Sequence, residues 1–197
     1  MKIERVYREV LHRVLDLHSS EVIKQKELSE VCGIAISVVN YALNPLVEMN
    51  VIEKKPFGFK VINPKKMLLY WASIRKLSKD IIYQTFADKP VGEIEKSLPQ
   101  VIFTAYTAYK LKFKSVPSDY GEVVVYGGEN IKERFVPNEK MKPNLTVLRT
   151  DEHLKKFTIA PLAQIFVDLW NLNTWYANEF VKVLEEKIDG ILERYSY

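Results

Sequence analysis

The sequence has 197 residues and a formal net charge of +4, with 47% hydrophobic and 27% charged residues. This composition is typical of a soluble globular protein that buries one large core or two small ones. No apolar run approaches the roughly 18 residues of a membrane helix, and the charged start MKIERVYREV is unlike a signal peptide, so a cytoplasmic protein without a membrane partner is expected. The single cysteine, Cys32, excludes an intramolecular disulfide and a cysteine-rich metal site.

The first predicted element is a helix over residues 2–17. Its apolar side chains recur at the three- and four-residue spacing of one buried helix face. They are Ile3, Val6, Val10, Leu11, Val14 and Leu15. Ser19 and Ser20 mark the end of this helix.

Residues 25–50 predict two further helices with a turn between them. The first opens at residues 26–28, and Gly33 stands at the turn. The second has a buried face at helical spacing, formed by Val39, Leu43, Leu46 and Val47. Asn50 is expected to end it, because Asn tolerates the left-handed backbone that helix ends often need. Since Pro45 lies inside this helix, a kink or a loosened second half is expected.

Residues 52–61 predict a β-hairpin with a basic turn. Ile52 leads into a short strand, and the return strand carries Phe59 and Val61. The turn contains Gly58 and is surrounded by three lysines: Lys54, Lys55 and Lys60. A helix delivered to a groove beside such a basic hairpin is a DNA-docking geometry.

This stretch resembles the MarR-like and related winged-helix regulators over residues 1–75. Their pattern has a turn glycine, a buried valine, a leucine seven residues later and a branched residue after the recognition helix. Gly33, Val39, Leu46 and Ile52 meet it. Because winged helices also bind RNA and proteins, the resemblance implies the fold more strongly than the ligand.

The remaining elements alternate between helix and strand. In chain order they are a helix at 64–77, a strand at 81–86, helices at 91–98 and 101–113, strands at 122–126 and 144–149, a short strand at 158–159, and helices at 161–171 and 174–195. The pattern predicts an α+β fold. A winged helix-turn-helix domain at residues 1–79 is joined by a helix to an α/β domain at residues 80–197, which has a small sheet and two terminal helices.

The second half resembles the AbiEi family, the antitoxin and regulator halves of bacterial and archaeal type IV toxin–antitoxin pairs. The segments that carry the resemblance are FTAYTAYKLKF, VVVYG, NLTVLRTD and IAPLAQIFVDLWNL. Within them, the family's pattern is matched by Ala105, Ala108, Leu111, residues 123–126, Pro161, Gln164, Asp168 and Leu169. Membership would imply a transcriptional regulator that binds its own operator. Its α/β domain is expected to contact a protein partner, for which a toxin of the nucleotidyltransferase type is the candidate. Pro45 inside the recognition helix departs from the family's pattern.

Positive charge is concentrated in the winged-helix half. Residues 1–80 contain 14 Lys and Arg against 9 Asp and Glu, whereas residues 81–197 contain 15 against 16. A phosphate-binding surface requires its cations in the first of these regions. A merely solvated surface could also have this modest excess.

Ten residues are the candidate contacts to double-stranded DNA. The outward positions of the second helix are Ile36, Ser37, Asn40, Tyr41 and Asn44, which can reach base edges, a thymine methyl group or phosphates. The predicted phosphate contacts are Lys54, Lys55 and Lys60 of the hairpin and Lys24 and Lys26 at the start of the preceding helix, where backbone amides also favour anions. No Lys or Arg lies between Lys26 and Lys54, so the second helix itself has no basic residue for phosphate contacts. The alternative to DNA binding is therefore that this surface contacts a protein.

Catalytic patterns are weak, so no enzyme activity, catalytic residue, metal or cofactor is predicted. Asp119 and Glu122 resemble the acids of a metal-dependent nuclease, but Val124 stands where that site needs a lysine. The three histidines lack metal-ligand spacing; they are His12, His18 and His153. Asp168 lies in an apolar helix, where a buried carboxylate needs a neighbouring helix end or an arginine as its partner.

Aromatic residues of the second half are expected to pack in its core. Their helical or strand spacing is that of buried side chains; they are Tyr106, Tyr109, Phe113, Tyr126 and Tyr176. Trp170 and Trp175 flank a turn between two helices and are expected to be partly exposed. That corner is a candidate surface for a protein partner.

Two functional hypotheses follow. The first is a DNA-binding transcriptional regulator, antitoxin-like, with its protein partner on the C-terminal domain; binding as a homodimer or as adjacent monomers both stay open. The alternative is a protein-interaction adaptor whose winged helix does not bind DNA.

Overall fold

The computed structural model describes residues 2–138 and 141–195, whose helices and strands confirm the predicted α+β fold class. Two units can be distinguished. The first comprises Met1–Arg75, Pro161–Val167 and Leu184–Tyr197, and the second comprises Lys76–Ala160 and Asp168–Val183. The chain therefore returns to the first unit after forming most of the second. The functional division between residues 79 and 80 stays a prediction.

Three helices form the centre of the first unit: α1 (Lys2–Leu15), α2 (Gln25–Cys32) and α3 (Ile36–Glu48). α1 ends two residues before the predicted position. Five residues of the predicted stripe are buried, namely Val6, Val10, Leu11, Val14 and Leu15, whereas Ile3 is half-buried. Burial extends beyond this stripe, since Glu4, Tyr7, Arg8 and Glu9 are buried as well. α3 faces α1 with Val39, Ala42, Leu43 and Leu46. Burial of these apolar faces is what stabilises three short helices that would be marginal alone.

The turn between α2 and α3 depends on Gly33. This residue has a left-handed backbone, with φ 60° and ψ 46°, which glycine adopts without steric cost. The amide of Ile34 donates to the Ser29 carbonyl at 3.1 Å and closes the helix end. The two helices bend by 117°, within the range of helix-turn-helix motifs. In the described part of the chain, no single helix is long and apolar enough to span a membrane, and α2 with α3 meets that test only as a bent pair.

α3 continues through Pro45 to Glu48, so its second half does not loosen, and the kink expected as the other effect of Pro45 stays a prediction. Leu46, directly after the proline, is fully buried, and the Met49 amide donates to the Pro45 carbonyl at 3.0 Å. Packing of the buried face therefore outweighs the low helix propensity of proline. The helix ends as predicted, because Asn50 has a positive φ of 54°.

The wing follows as two antiparallel strands, β1 (Ile52–Lys55) and β2 (Gly58–Val61). α4 (Pro64–Ile74) begins with a proline and is capped by the Asn63 side chain, which accepts from the Lys66 amide at 2.9 Å. α4 is shorter than the predicted helix at residues 64–77. A separate 3-10 turn at Leu77–Asp80 follows it.

The second unit is built on a four-stranded sheet in the order β3-β6-β5-β4. Its strands are β3 (Ile81–Thr85), β4 (Ile102–Phe103), β5 (Val123–Gly127) and β6 (Leu145–Arg149). β5 and β6 are parallel, and the two outer strands run antiparallel to their neighbours. β5 and β6 occupy the centre and are almost entirely buried, which explains why both read as continuous apolar runs in the sequence.

Four helices complete the fold: α5 (Val91–Ser97), α6 (Ala105–Phe113), α7 (Leu162–Trp170) and α8 (Trp175–Tyr195). α6 packs on β5. A cluster around Val123, Val125 and Val147 fills one side of the sheet. Of the predicted core aromatics, Tyr106, Tyr109 and Tyr126 are buried, whereas Phe113 and Tyr176 are half-buried. Trp170 and Trp175 are exposed as expected.

Two predicted elements of the second half differ from the structure in part or in full. The helix at residues 101–113 begins only at Ala105, because Ile102 and Phe103 form β4 and pair with Tyr126 and Val125. The strand at residues 158–159 is only an isolated bridge between Ile159 and Phe103. In both places, a pairing between residues far apart in the sequence decided the local structure.

Asp168 is a buried acid in the second unit, with none of its surface exposed. Its carboxylate accepts hydrogen bonds from the Thr104 hydroxyl at 2.7 Å and the Tyr126 hydroxyl at 2.6 Å. Two hydroxyl groups are thus partners of this carboxylate, and its expected bond to a helix end or an arginine stays a prediction. The bonds tie α7 to β5 and to the start of α6, the elements around the middle of the sheet.

Replacing Asp168 with Ala is expected to destabilise the protein by about 2–3 kcal/mol, because two buried hydroxyl groups lose a charged acceptor. Urea unfolding of the full chain measures the change. The exposed acid Asp88 provides the control, and Asp88→Ala should change the free energy of unfolding by less than about 0.5 kcal/mol. Equal effects of the two substitutions would contradict the structural importance of Asp168.

Candidate nucleic-acid interface

The exposed face of α3 presents the polar residues expected of a recognition helix. Its first residue, Ile36, is 48% exposed, and Tyr41 is 69% exposed. Ser37, Asn40 and Asn44 are exposed as well. The opposite face of α3 is the buried one, so helix periodicity alone orients these side chains outward.

The wing is held against the start of α2 by two backbone hydrogen bonds. The Ile23 amide donates to the Phe59 carbonyl at 2.8 Å, and the Phe59 amide donates to the Ile23 carbonyl at 3.0 Å. Ile23 therefore acts as a one-residue third strand beside β2. Because Lys24 follows it directly, this pairing fixes the wing next to the first turn of α2.

Gly58 makes this close approach possible. A Cβ atom at Gly58 would lie 2.2 Å from the Ile23 carbonyl oxygen, far inside van der Waals contact. The sequence suggested a glycine of the hairpin turn. In the structure the turn is Pro56 and Phe57, and Gly58 is the first residue of β2, paired with Lys55. Its role is to leave space for another backbone.

Two adjoining cavities lie between α3, the wing and the start of α2. One, of about 290 Å³, is lined by α3 and the wing, and its residues include Asn40, Asn44 and Lys54. The other, of about 550 Å³, is lined by the start of α2, the start of α3 and the wing turn. Its lining residues include Lys24, Lys26, Ile36, Lys54 and Lys55. Lys54 contributes to both cavities and so joins the two.

The structure thus brings seven of the ten predicted residues around one concave surface, which we call the α3–wing face. These seven are Lys24, Lys26, Ile36, Asn40, Asn44, Lys54 and Lys55. Ser37 and Tyr41 lie on the adjacent exposed stripe of α3 and line neither cavity. Lys60 is half-buried and stands opposite Glu53 in the hairpin. The contact of these ten residues with DNA stays a prediction.

Positive charge on the α3–wing face is only partly compensated. Within the described residues, Lys54, Lys24 and Lys26 have no ion-pair partner, whereas Lys55 Nζ lies 2.7 Å from Glu53 Oε1. That pair is exposed to solvent and contributes little energy, so a phosphate can compete for the lysine.

The acidic residue in the first turn of α2, Glu27, is neutralised from another helix. Arg13 Nη1 lies 2.6 Å from Glu27 Oε1, and Arg13 Nε donates to Glu9 at 2.8 Å. Burial opposes the charge of Arg13, but its bonds to Glu9 and Glu27 raise the pKa of the guanidinium. α2 also has no side-chain cap at Lys24. Its first backbone amides therefore favour an anion.

Sequence reasoning missed two residues of this face. Gln25 lines both cavities, and its amide can bond adenine in the way that Asn does. Phe57 stands at the tip of the wing and is 84% exposed. Exposure of Phe57 could have been predicted from the sequence, because it lies between Pro56 and Gly58 in the turn of a polar hairpin, away from any core. No signal in the sequence placed Gln25 beside the wing.

The described residues contain no group of three or more His, Cys, Asp or Glu side chains that could hold a metal ion. Of the residues weighed for catalysis, Asp168 is occupied by the two hydroxyl groups described above. Glu122 accepts from the Tyr106 hydroxyl at 3.2 Å. These groups have packing partners in the second unit.

Comparison with known proteins agrees with this geometry. Residues 17–53 match the family described as winged helix-turn-helix DNA-binding. The match covers α2, α3 and the start of β1. No curated protein and no solved structure matches the chain. The first unit therefore contains a winged helix-turn-helix DNA-binding domain, which indicates a DNA-binding regulator.

Substituting Gly58 with Ala should displace the wing, because the new methyl group collides with the Ile23 backbone. The expected cost is about 1–3 kcal/mol of unfolding free energy, as for other overpacked sites. Hydrogen exchange of the Ile23 and Phe59 amides should also accelerate. Gly121→Ala is the matched control, because a Cβ there meets nothing within 4 Å. Unchanged exchange at both amides in Gly58→Ala would contradict the role assigned to Gly58.

Proposed function

We propose that the protein is a transcriptional regulator that binds operator DNA with its α3–wing face. In this proposal α3 enters the major groove, and the wing and the start of α2 lie along the phosphate backbone. The proposal rests mainly on three features that converge around the joined cavities: polar α3 positions, uncapped α2 amides, and three lysines without an ion-pair partner in the described part of the chain. The function is one of binding, without a catalytic step, and its expected compartment is the cytoplasm.

The proposal divides the work between two groups of residues. Lys24, Lys26 and Lys54 supply affinity for any DNA, because phosphates carry no sequence information. Asn40, with Asn44 behind it on the same helical stripe, supplies base contacts. Since α3 has no basic residue, the recognition helix adds little non-specific affinity. We therefore expect the affinity for DNA to depend mainly on the lysines of the wing and of the start of α2, and the sequence specificity to depend on α3.

The finer proposal is an AbiEi-type antitoxin that binds a nucleotidyltransferase-like toxin. It is supported by the order of the resembling segments in the second half, among them the strand at Val123–Gly127 and the helix at Leu162–Trp170. Co-expression with a nucleotidyltransferase gene from its own gene neighbourhood tests it, since an antitoxin should restore growth. The molar mass of the purified protein in solution decides between a monomer and a homodimer.

The alternative function is an adaptor whose winged helix contacts protein only. The absence of Lys and Arg from the sequence between Lys26 and Lys54 favours it, and the basic wing opposes it. Titration of the full-length protein with its own promoter DNA at low salt discriminates the two functions. Undetectable binding there would leave the adaptor as the better explanation.

The triple variant Lys54→Ala, Lys55→Ala, Lys60→Ala should weaken binding to all DNA sequences. Each lost phosphate contact reduces the slope of log affinity against log salt by about 0.9, so the slope should flatten by up to about three such steps. Fluorescence anisotropy at several salt concentrations measures it.

A charge-matched control removes three exposed lysines that lie outside the α3–wing face: Lys2→Ala, Lys76→Ala, Lys79→Ala. This variant has the same net charge as the wing variant, so it separates contact from overall electrostatic attraction. If both triple variants have equal slopes, the wing is not part of the interface.

Asn40→Ala should reduce affinity for the preferred operator by about 1–3 kcal/mol and reduce affinity for random DNA much less. The reason is that a bidentate base contact exists only on the right sequence. Competition titrations with both DNAs give the two values. The exposed Asn173 provides the control, and Asn173→Ala should change neither. Equal losses on both DNAs would assign Asn40 to the backbone or to the fold.

A further inference from the structure

The second unit contains a cleft of about 540 Å³ that the proposed function does not use. It lies at one edge of the sheet, where the parallel strands β5 and β6 both end, at Gly127 and Arg149. β4 begins at the same edge, because Ile102 pairs with Tyr126. In α/β sheets, the crevice outside the carboxyl ends of parallel strands is where ligands commonly bind. The volume is within the range of small-molecule sites.

The lining of the cleft combines two chemical classes of side chain. Two lysines and two hydroxyl residues provide its polar groups, namely Lys155, Lys156, Thr150 and Thr158. Apolar and aromatic groups are provided by Val101, Ile102, Tyr126 and Phe157. Such a lining fits a ligand that has both an anionic group and an apolar or planar body.

Both lysines come from one short segment, the 3-10 turn at Leu154–Lys156. The backbone next to this turn is anchored to the sheet, since the Phe103 amide donates to the Thr158 carbonyl at 3.1 Å. Buried Leu154 anchors the turn from the other end. The two ammonium groups are therefore carried by a fixed segment at the edge of the cleft.

Lys155 is only weakly held by its acidic neighbour Glu152. Glu152 pairs with Lys155 at 2.5 Å, but the two side chains are 72% and 58% exposed, so the pair is weak and can open for a ligand. Glu129 follows Gly128 and pairs with Lys132 at 3.3 Å. On the cleft lining itself there is no Asp or Glu among the described residues.

We propose that this cleft binds a small organic phosphate with a nucleoside-sized body. The phosphate is bound by Lys155 and Lys156 with the Thr150 and Thr158 hydroxyl groups beside it, and the body packs against Val101 and Phe157. A phosphate fits this donor set because it offers three acceptor oxygens to several cations and hydroxyls at once.

Calorimetric titration of the full-length protein with three probes tests the proposal. AMP carries both chemical features, adenosine lacks the anion, and inorganic phosphate lacks the body. AMP, or another of the four ribonucleoside monophosphates, should bind with a Kd below about 1 mM. It should bind at least about tenfold more tightly than its nucleoside or inorganic phosphate, since either loss removes one side of the contact.

The variant Lys155→Ala, Lys156→Ala should lose about tenfold or more in affinity for the nucleotide and keep its affinity for the nucleoside. Lys89→Ala, an exposed lysine of the same unit that does not line the cleft, should bind as the unchanged protein does. The wing variant Lys54→Ala, Lys55→Ala should also bind normally, which separates this site from the proposed DNA interface.

Three results would overturn the proposal. One is no binding of any of the four monophosphates at about 10 mM. Another is nucleotide binding that survives in the Lys155 and Lys156 variant or disappears in the wing variant. The third is inorganic phosphate binding as tightly as the nucleotides, which would mean that the apolar residues of the cleft contribute nothing. None of these results depends on whether the protein binds DNA.

Discussion

The geometry of the α3–wing face depends on one close backbone approach, between Ile23 and Phe59. Two hydrogen bonds of 2.8 and 3.0 Å join these residues, and only a glycine at position 58 leaves room for them. The bonds hold the wing beside the first turn of α2, so they determine where Lys24 and Lys54 stand relative to each other. Without this contact the hairpin would be two isolated strands, which are marginally stable in water.

Much of the fold could be predicted because its signals are local. Gly33 and Asn50 ended helices at the expected places, and most apolar residues of the predicted α1 and α3 faces are buried. The failures have a common physical cause. Ile102 and Phe103 adopt strand geometry only because β5 offers partners some twenty residues later, and Pro45 stays in a helix because its neighbour Leu46 is buried. Such stabilisation comes from residues that are distant in the sequence, so a short sequence segment does not reveal it.

The candidate site shows the same limit at the level of single side chains. Helix periodicity was enough to predict which α3 residues face outward, and the lysine positions followed from the hairpin. The pairing of Glu27 with Arg13 was not predictable, because it joins side chains of two different helices. The pairing of Lys55 with Glu53 follows from the strand period, which places both on one face of β1. These pairs change the electrostatics of the face, since one reduces the free charge of the wing and the other removes a repulsive carboxylate from the start of α2.

The first unit is not contiguous in sequence, and this changes what the winged helix needs in order to be stable. The buried side chain of Arg8 in α1 donates to Gln164 at 2.7 Å. Lys65 in α4 pairs with Glu185 and Asp189 at 2.8 and 2.6 Å. A fragment that stopped at residue 79 would leave the Arg8 guanidinium without this acceptor, and losing a partner of a buried charge costs far more than an exposed ion pair gains. The DNA-binding unit therefore depends on the end of the chain, and its affinity is properly measured on the whole protein.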